Sequence, residues 1–266
     1  MGINAMKEKD ILFVCGCPRS GTTSLWSVLI DHSEVMLGVE RYGHRIAPDS
    51  FSLTRDLFSE ARFFDVQPND TFYGDLEKFN PYYGAARSKY PTFRYLGDKI
   101  PLLFNAYTQL FTAIPGVKVI FIFRNLFDVA NSYNHRARNP EDATWSEDLD
   151  YKGAVNDWNA SLHKTLAAKS QGLSILCVEY ERLWNRVSGC EELERITRFL
   201  SLPISKEYAQ HFSNWMVRND ILESERRNKK YLDPDEKVYL LSHADVDAYR
   251  RIRALAAEQL IGVGGE

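Results

Sequence analysis

Apolar residues arrive in short runs separated by longer mixed stretches. "ILFVCG" (Ile11 to Gly16), "VKVIFIFR" (Val117 to Arg124) and "LSILCVEY" (Leu173 to Tyr180) are such runs. Each reads as a strand covered on both faces, as in a parallel sheet. A fourth run, "EVMLG", ends just before Glu40 and reads as another strand. In "TTSLWSVLIDH", Leu25, Val28 and Leu29 recur at helical spacing, and the segments after Arg124 and Tyr180 are polar and helix-like. Strands alternating with helices predict an α/β fold, a central parallel sheet flanked by helices.

The stretch from Arg41 to Arg94 breaks this rhythm. It is rich in Phe, Tyr, Pro and Asp with weak periodicity. It reads as helices and loops inserted beside the sheet, a natural place for an acceptor pocket. Aromatic residues between Phe63 and Phe93 would be free there to stack on a sugar, a tyrosine or a small aromatic. The final "DPDEKVYLLSHADVDAYRRIRALAAEQL" reads as one or two amphipathic helices. No linker or repeat interrupts the chain, so residues 1–266 are expected to form one domain.

Composition narrows the partners. The 266 residues are 44% hydrophobic and 26% charged, the profile of a soluble globular protein. A formal net charge of -3 gives no whole-molecule attraction to nucleic acid or anionic membrane, so any anion site is local. "MGINAMKEKD" has no apolar core for a signal peptide, Met6 stands where myristoylation needs Ser or Thr, and no run reaches membrane-spanning length. A cytoplasmic protein is expected. Cys15, Cys17, Cys177 and Cys190 have no zinc-knuckle or redox spacing and are expected to be small buried hydrophobes.

The chemistry concentrates in "GCPRSGTTSL" (Gly16 to Leu25). A strand, two glycines separated by four residues, and a helix aim several backbone N–H groups and a helix N-terminus at one point. Thr22, Thr23 and Ser24 add hydroxyls, and Arg19 adds a planar cation suited to an oxyanion. A triphosphate loop carries Lys directly after its second glycine; here that residue is Thr22. The strand "VKVIFIFR" ends in Arg124, where a magnesium-holding acid would be expected. Both features argue against a metal–triphosphate ligand. Beyond Arg124, Ser132 follows after eight residues and Arg136 four later, one helical turn on.

With these residues the chain resembles the sulfotransferases that use 3′-phosphoadenosine 5′-phosphosulfate (PAPS). "PRSGTTSL" looks like their 5′-phosphosulfate loop and matches the Pro-Arg-Ser-Gly-Thr-Thr string of the tyrosylprotein sulfotransferases. The heparan sulfate sulfotransferases are similar, usually with Lys at the cation position. The resemblance implies the P-loop, nucleotide-kinase-like sulfotransferase fold, PAPS as donor, no metal, and a hydroxyl-bearing acceptor. It places Arg19, Ser20, Gly21, Thr22, Thr23 and Ser24 on the phosphosulfate. It places Arg124, Ser132 and Arg136 on the 3′-phosphate and Tyr180 near the adenine. Lys99, in "GDKIP", matches a family Lys that contacts the sulfuryl or bridging oxygen. Glu40, twenty-one residues after Arg19, stands where the tyrosylprotein enzymes keep a catalytic Glu. His44 is the rival base and Asp65 a third. Asn228 to Lys230 matches a late basic loop that closes over the donor. Two other readings are an ATP- and magnesium-dependent P-loop kinase and a non-catalytic nucleotide-binding module.

Overall fold

The computed structural model describes residues 8–68, 70, 76–227 and 231–261. The N-terminal segment argued above to lack a signal sequence lies largely outside them, at residues 1–7. So does the basic stretch Asn228 to Lys230. The described strands are β1 (Asp10–Cys15), β2 (Val35–Val39), β3 (Tyr95–Lys99), β4 (Lys118–Phe123) and β5 (Ile175–Glu179). They form one sheet in the order β2-β3-β1-β4-β5, and every neighbouring pair is parallel. Four of the five lie within two residues of the apolar runs that predicted them.

The helices are α1 (Thr22–Ile30), α2 (Glu60–Phe63), α3 (Leu76–Arg87), α4 (Tyr107–Ala113), α5 (Leu126–Ala137) and α6 (Tyr151–Ser170). After them come α7 (Tyr180–Leu183), α8 (Gly189–Leu200), α9 (Lys206–Arg227), α10 (Pro234–His243) and α11 (Val246–Ile261). Strand side chains alternate between two cores. Phe13, Phe121, Phe123 and Cys177 face one, shared with Val129, Leu162 and Ile252 of α5, α6 and α11. Leu12, Val14, Ile120 and Val178 face the other, shared with Leu25 of α1, Ile196 of α8 and Phe212 of α9. Each large apolar side chain so buried contributes roughly 1.5–3 kcal/mol. No described helix is long and apolar enough to cross a membrane.

β3 was not expected. Its sequence, Tyr-Leu-Gly-Asp-Lys, has only two apolar residues, yet all five are buried between β2 and β1. Gly97 is required by the close approach of β1, since a Cβ there would lie 1.6 Å from the Leu12 carbonyl oxygen. The C-terminal helices are fastened by a capping box, in which Asp233 and Glu236 satisfy each other's backbone N–H groups at the start of α10. Glu236 also accepts from Asn134 and Arg138, tying α10 to α5.

The aromatic stretch after Arg41 differs from its sequence reading. Phe63, Tyr83, Tyr90 and Phe93 are buried and pack with their neighbours, so they offer no free stacking face. Their centre is ionic. Arg41, 2% exposed, donates to Asp70 from Nε at 3.2 Å and Nη2 at 2.9 Å and lies over the Tyr42, Phe63 and Tyr83 rings. Arg62 also pairs with Asp70. Burial raises the Asp70 pKa, but hydrogen bonds from Arg62, the Gln67 N–H and Arg41 outweigh it and hold the carboxyl below its ordinary value. A buried charge is tolerable only when satisfied in this way.

Candidate active site

The site lies at the carboxyl ends of the strands, where open α/β sheets leave a crevice. β1 runs into the glycine loop. A Cβ at Gly16 would lie 2.1 Å from the Ile122 carbonyl oxygen, so the loop leaves the sheet pressed against β4. Gly21 (φ +94°) precedes α1, and a Cβ there would lie 2.4 Å from the Tyr180 ring. α1 has no side-chain cap and no acid in its first turn, so its N-terminal partial charge is not neutralised within the helix.

Three described non-glycine residues hold positive φ, and two are Arg19 (+69°) and Glu40 (+53°). Left-handed backbone at such residues costs on the order of 1–3 kcal/mol and concentrates at functional sites. Arg19 Nε donates to Ser132 Oγ at 2.9 Å, joining two motifs 113 residues apart. Arg124, 5% exposed, donates to Asp128 at 2.8 Å and Glu223 at 3.0 Å, and lies 4.1 Å from the Tyr180 ring centroid. Among the described residues its buried Nε has no hydrogen-bond partner. The Tyr180 hydroxyl donates to Asn219 at 2.8 Å and Glu223 at 3.0 Å. These groups wall a cavity of about 410 Å³ that also takes in Gly21, Thr22, Thr23, Ser24 and Ser132. Ser20 is fully buried and lines neither this cavity nor the next.

A second cavity of about 750 Å³ opens on the other side of Arg19. It is lined by Glu40, His44 and Lys99, by apolar residues of the segments after β2 and β3, and by Arg136, Trp145 and Lys164. Arg19, Thr22 and Thr23 belong to both cavities. Lys99 Nζ, 2% exposed, donates to Glu40 Oε1 at 2.5 Å. His44 shares this cavity, and burial followed by the Arg45 charge pushes its pKa down. Asp65 is exposed and lines neither cavity. Arg136 lines the second cavity and not the first. Its guanidinium bonds Asp142 and Thr144 and lies 4.5 Å from the Trp145 ring centroid.

Asp98 is a site residue that sequence reasoning missed. Its carboxylate accepts the Tyr42 N–H at 2.7 Å and also the Arg41 N–H, so the turn carrying Glu40 is hung on it. The Glu40 N–H in turn bonds the Lys99 carbonyl at 2.8 Å. Burial pushes the Asp98 pKa up to about 7, against the pull of those two N–H groups and Lys99. The only hint in the sequence is an acid directly before the candidate lysine. Trp145, Lys164 and Glu223 were likewise not singled out. Of the cysteines, Cys15, Cys17 and Cys177 are buried, whereas Cys190 on α8 is exposed.

No curated protein matches. Among solved structures the chain is similar to a sulfotransferase from Alicyclobacillus acidocaldarius (TM-score 0.55, 16% identity, covering 94% of this chain and 96% of that one). It is similar to sulfotransferase STF9 from Mycobacterium avium (0.51, 12%, covering 79% and 68%). It is also similar to the sulfotransferase domain of the curacin biosynthetic pathway (0.50, 21%, covering 75% and 76%). At these identities the likeness is one of fold, the P-loop sulfotransferase fold expected from the sequence. The model described as "Sulfotransferase family" matches residues 11–206, most of the chain, and the chain therefore belongs to the sulfotransferase family.

Proposed function

We propose that this sulfotransferase takes its sulfuryl group from PAPS and passes it to an acceptor hydroxyl, with the donor in the first cavity and the acceptor in the second. The observation that carries the reading is the shared wall: Arg19, Thr22 and Thr23 border both cavities. The sequence of the loop, with a cation and hydroxyls but no lysine after Gly21, suits a phosphosulfate. Arg124, with a free buried Nε, and Ser132 suit a 3′-phosphate. PAPS supplies the activated sulfur; what the chain does is hold, align and move a proton.

Glu40 accepts the proton of the acceptor hydroxyl as that oxygen bonds to sulfur and the bond from sulfur to the 5′-phosphate oxygen breaks. Lys99, bonded to Glu40 at the strand ends, and Arg19 supply positive charge where the transferring oxygens gain negative charge. Positioning and such fixed charges dominate the related phosphoryl transfers. Asp98 positions Glu40 and touches no substrate. Arg136, on the acceptor side, is assigned to that cavity rather than to the 3′-phosphate.

Calorimetric titration with 3′-phosphoadenosine 5′-phosphate (PAP), the spent donor, tests the donor half directly. Binding without magnesium is the expected result, whereas magnesium-dependent ATP turnover with no PAP binding would favour the kinase reading. A labelled-donor screen across carbohydrate, phenolic, aliphatic and peptide hydroxyls tests transfer. PAP binding without transfer to any of them would favour the non-catalytic module.

A further inference from the structure

The second cavity has more to say about its occupant. Val39, Ile46, Ala47, Ile100, Pro101 and Leu102 give it apolar walls. Its volume lies in the range that encloses a small organic molecule. Against these walls stand four basic side chains, Arg19, Lys99, Arg136 and Lys164, and one carboxylate, Glu40, among the described lining residues. The whole chain is negatively charged, so this excess is local.

Three of the four cations already have defined work. Arg19 bonds Ser132 on the donor side, Lys99 pairs with Glu40, and Arg136 pairs with Asp142. Lys164 does not fit that pattern. On α6, its Nζ donates to the neutral Asn105 Oδ1 at 2.6 Å and has no carboxylate within ion-pairing distance among the described residues. Across the cavity lining, Arg136 Nη1 makes no hydrogen bond among the described residues. The exposed Lys164 ammonium and the half-buried Asn105 amide thus line a cavity whose one carboxylate among the described residues, Glu40, is already paired with Lys99. His44, its pKa pushed down by burial and the Arg45 charge, lines the same cavity.

We infer that the acceptor is a hydroxy acid: an apolar body bearing the hydroxyl near Glu40 and a carboxylate received by Lys164 and Asn105. The inference rests on the second cavity being the acceptor site. A carboxylate gives the ammonium an ionised acceptor in place of a neutral amide oxygen, so the full charges attract as well as hydrogen-bond. Lys164 then selects among hydroxyl compounds without touching the transferring group.

The test is calorimetric titration with matched pairs: 4-hydroxyphenylacetate, 3-hydroxydecanoate and glucuronate, each against its methyl ester. At least one acid is expected to bind about 3- to 10-fold more tightly than its ester, the range of a partly exposed ion pair. Lys164→Gln is expected to abolish that preference while leaving ester binding, thermal midpoint and PAP affinity unchanged. Equal binding of every acid and ester, binding of no acid, or a preference that survives Lys164→Gln each overturns the inference. The titrations run with and without PAP. A protein that prefers acids but fails to bind PAP would sink the donor reading alone; one that binds PAP but shows no preference would sink the hydroxy-acid inference alone.

Discussion

The cavity beside Arg124 and the cavity beside Glu40 share a wall but are made differently. The first is defined by backbone: Gly16 against the Ile122 carbonyl, Gly21 against the Tyr180 ring, and the open N-terminus of α1. Its remaining walls are mostly groups that donate or accept hydrogen bonds. The second is defined by side chains on the segments after β2 and β3 and on the stretch joining α5 to α6. A backbone-built cavity admits few changes, because a single Cβ collides with main chain or ring. A side-chain-built one can be re-lined without moving the sheet. Within one fold, the first cavity is therefore the constrained part in physical terms and the second the adjustable part.

Substitutions can break or sharpen this contrast. The largest effect is expected from Glu40→Gln, which keeps an oxygen for Lys99 but cannot take a proton. Turnover should fall on the order of 10²- to 10⁴-fold while PAP affinity stays the same, read by steady-state kinetics and calorimetry. A variant with full turnover would remove Glu40 as base. Arg124→Ala should do the reverse. PAP binding should weaken on the order of 30- to 1,000-fold, because a buried charged donor is lost, while acceptor affinity is unchanged. Asp98→Asn should lower kcat by about 10-fold, with PAP binding intact, by loosening the turn that carries Glu40.

Asp98 also has a pH signature. Its folded pKa is raised by burial from 3.8 to about 7. Its contribution to stability is therefore full below the ordinary carboxylate value and lost as pH rises through about 7. Urea midpoints of wild type should fall relative to Asp98→Asn across that window, and parallel curves would refute the assignment. The smallest effect is expected from His44→Gln, less than about 3-fold in kcat, since no proton passes through it in this reading. A loss larger than that of Glu40→Gln would exchange the two roles.

The sheet was largely legible in the sequence because buried parallel strands need no partner to declare themselves; an unbroken apolar run such as "VIFIF" is enough. β3 was not, because Asp98 and Lys99 are buried for reasons that lie elsewhere in the chain: the N–H groups of Arg41 and Tyr42 for one, the Glu40 carboxylate for the other. The strand–loop–helix around Gly16 and Gly21 was legible because it depends on local backbone geometry. The second cavity was not, because two of its four cations come from α5 and α6 while its apolar walls follow β2 and β3. The aromatic stretch misled for a related reason. Aromatic residues advertise stacking surface, but here they enclose an ion cluster whose members, Arg41 and Asp70, lie 29 residues apart.

One consequence of the β3 register reaches beyond the site itself. Val14 of β1 and Val39 of β2 both pair with Lys99, so the glycine loop, Lys99 and Glu40 hang from one rung of the hydrogen-bond ladder. Adjacent strands are about 4.8 Å apart, which makes that rung a fixed ruler about 10 Å long between the end of β1 and the end of β2. A one-residue slip of β3 would send Lys99 to the Asp98 face and Asp98 to the Lys99 face. The cation would leave the cavity and the anchor of the Glu40 turn would leave with it, although no atom had been deleted. In this molecule a register error of one residue would remove both Lys99 and the Glu40 turn from the cavity in a single event.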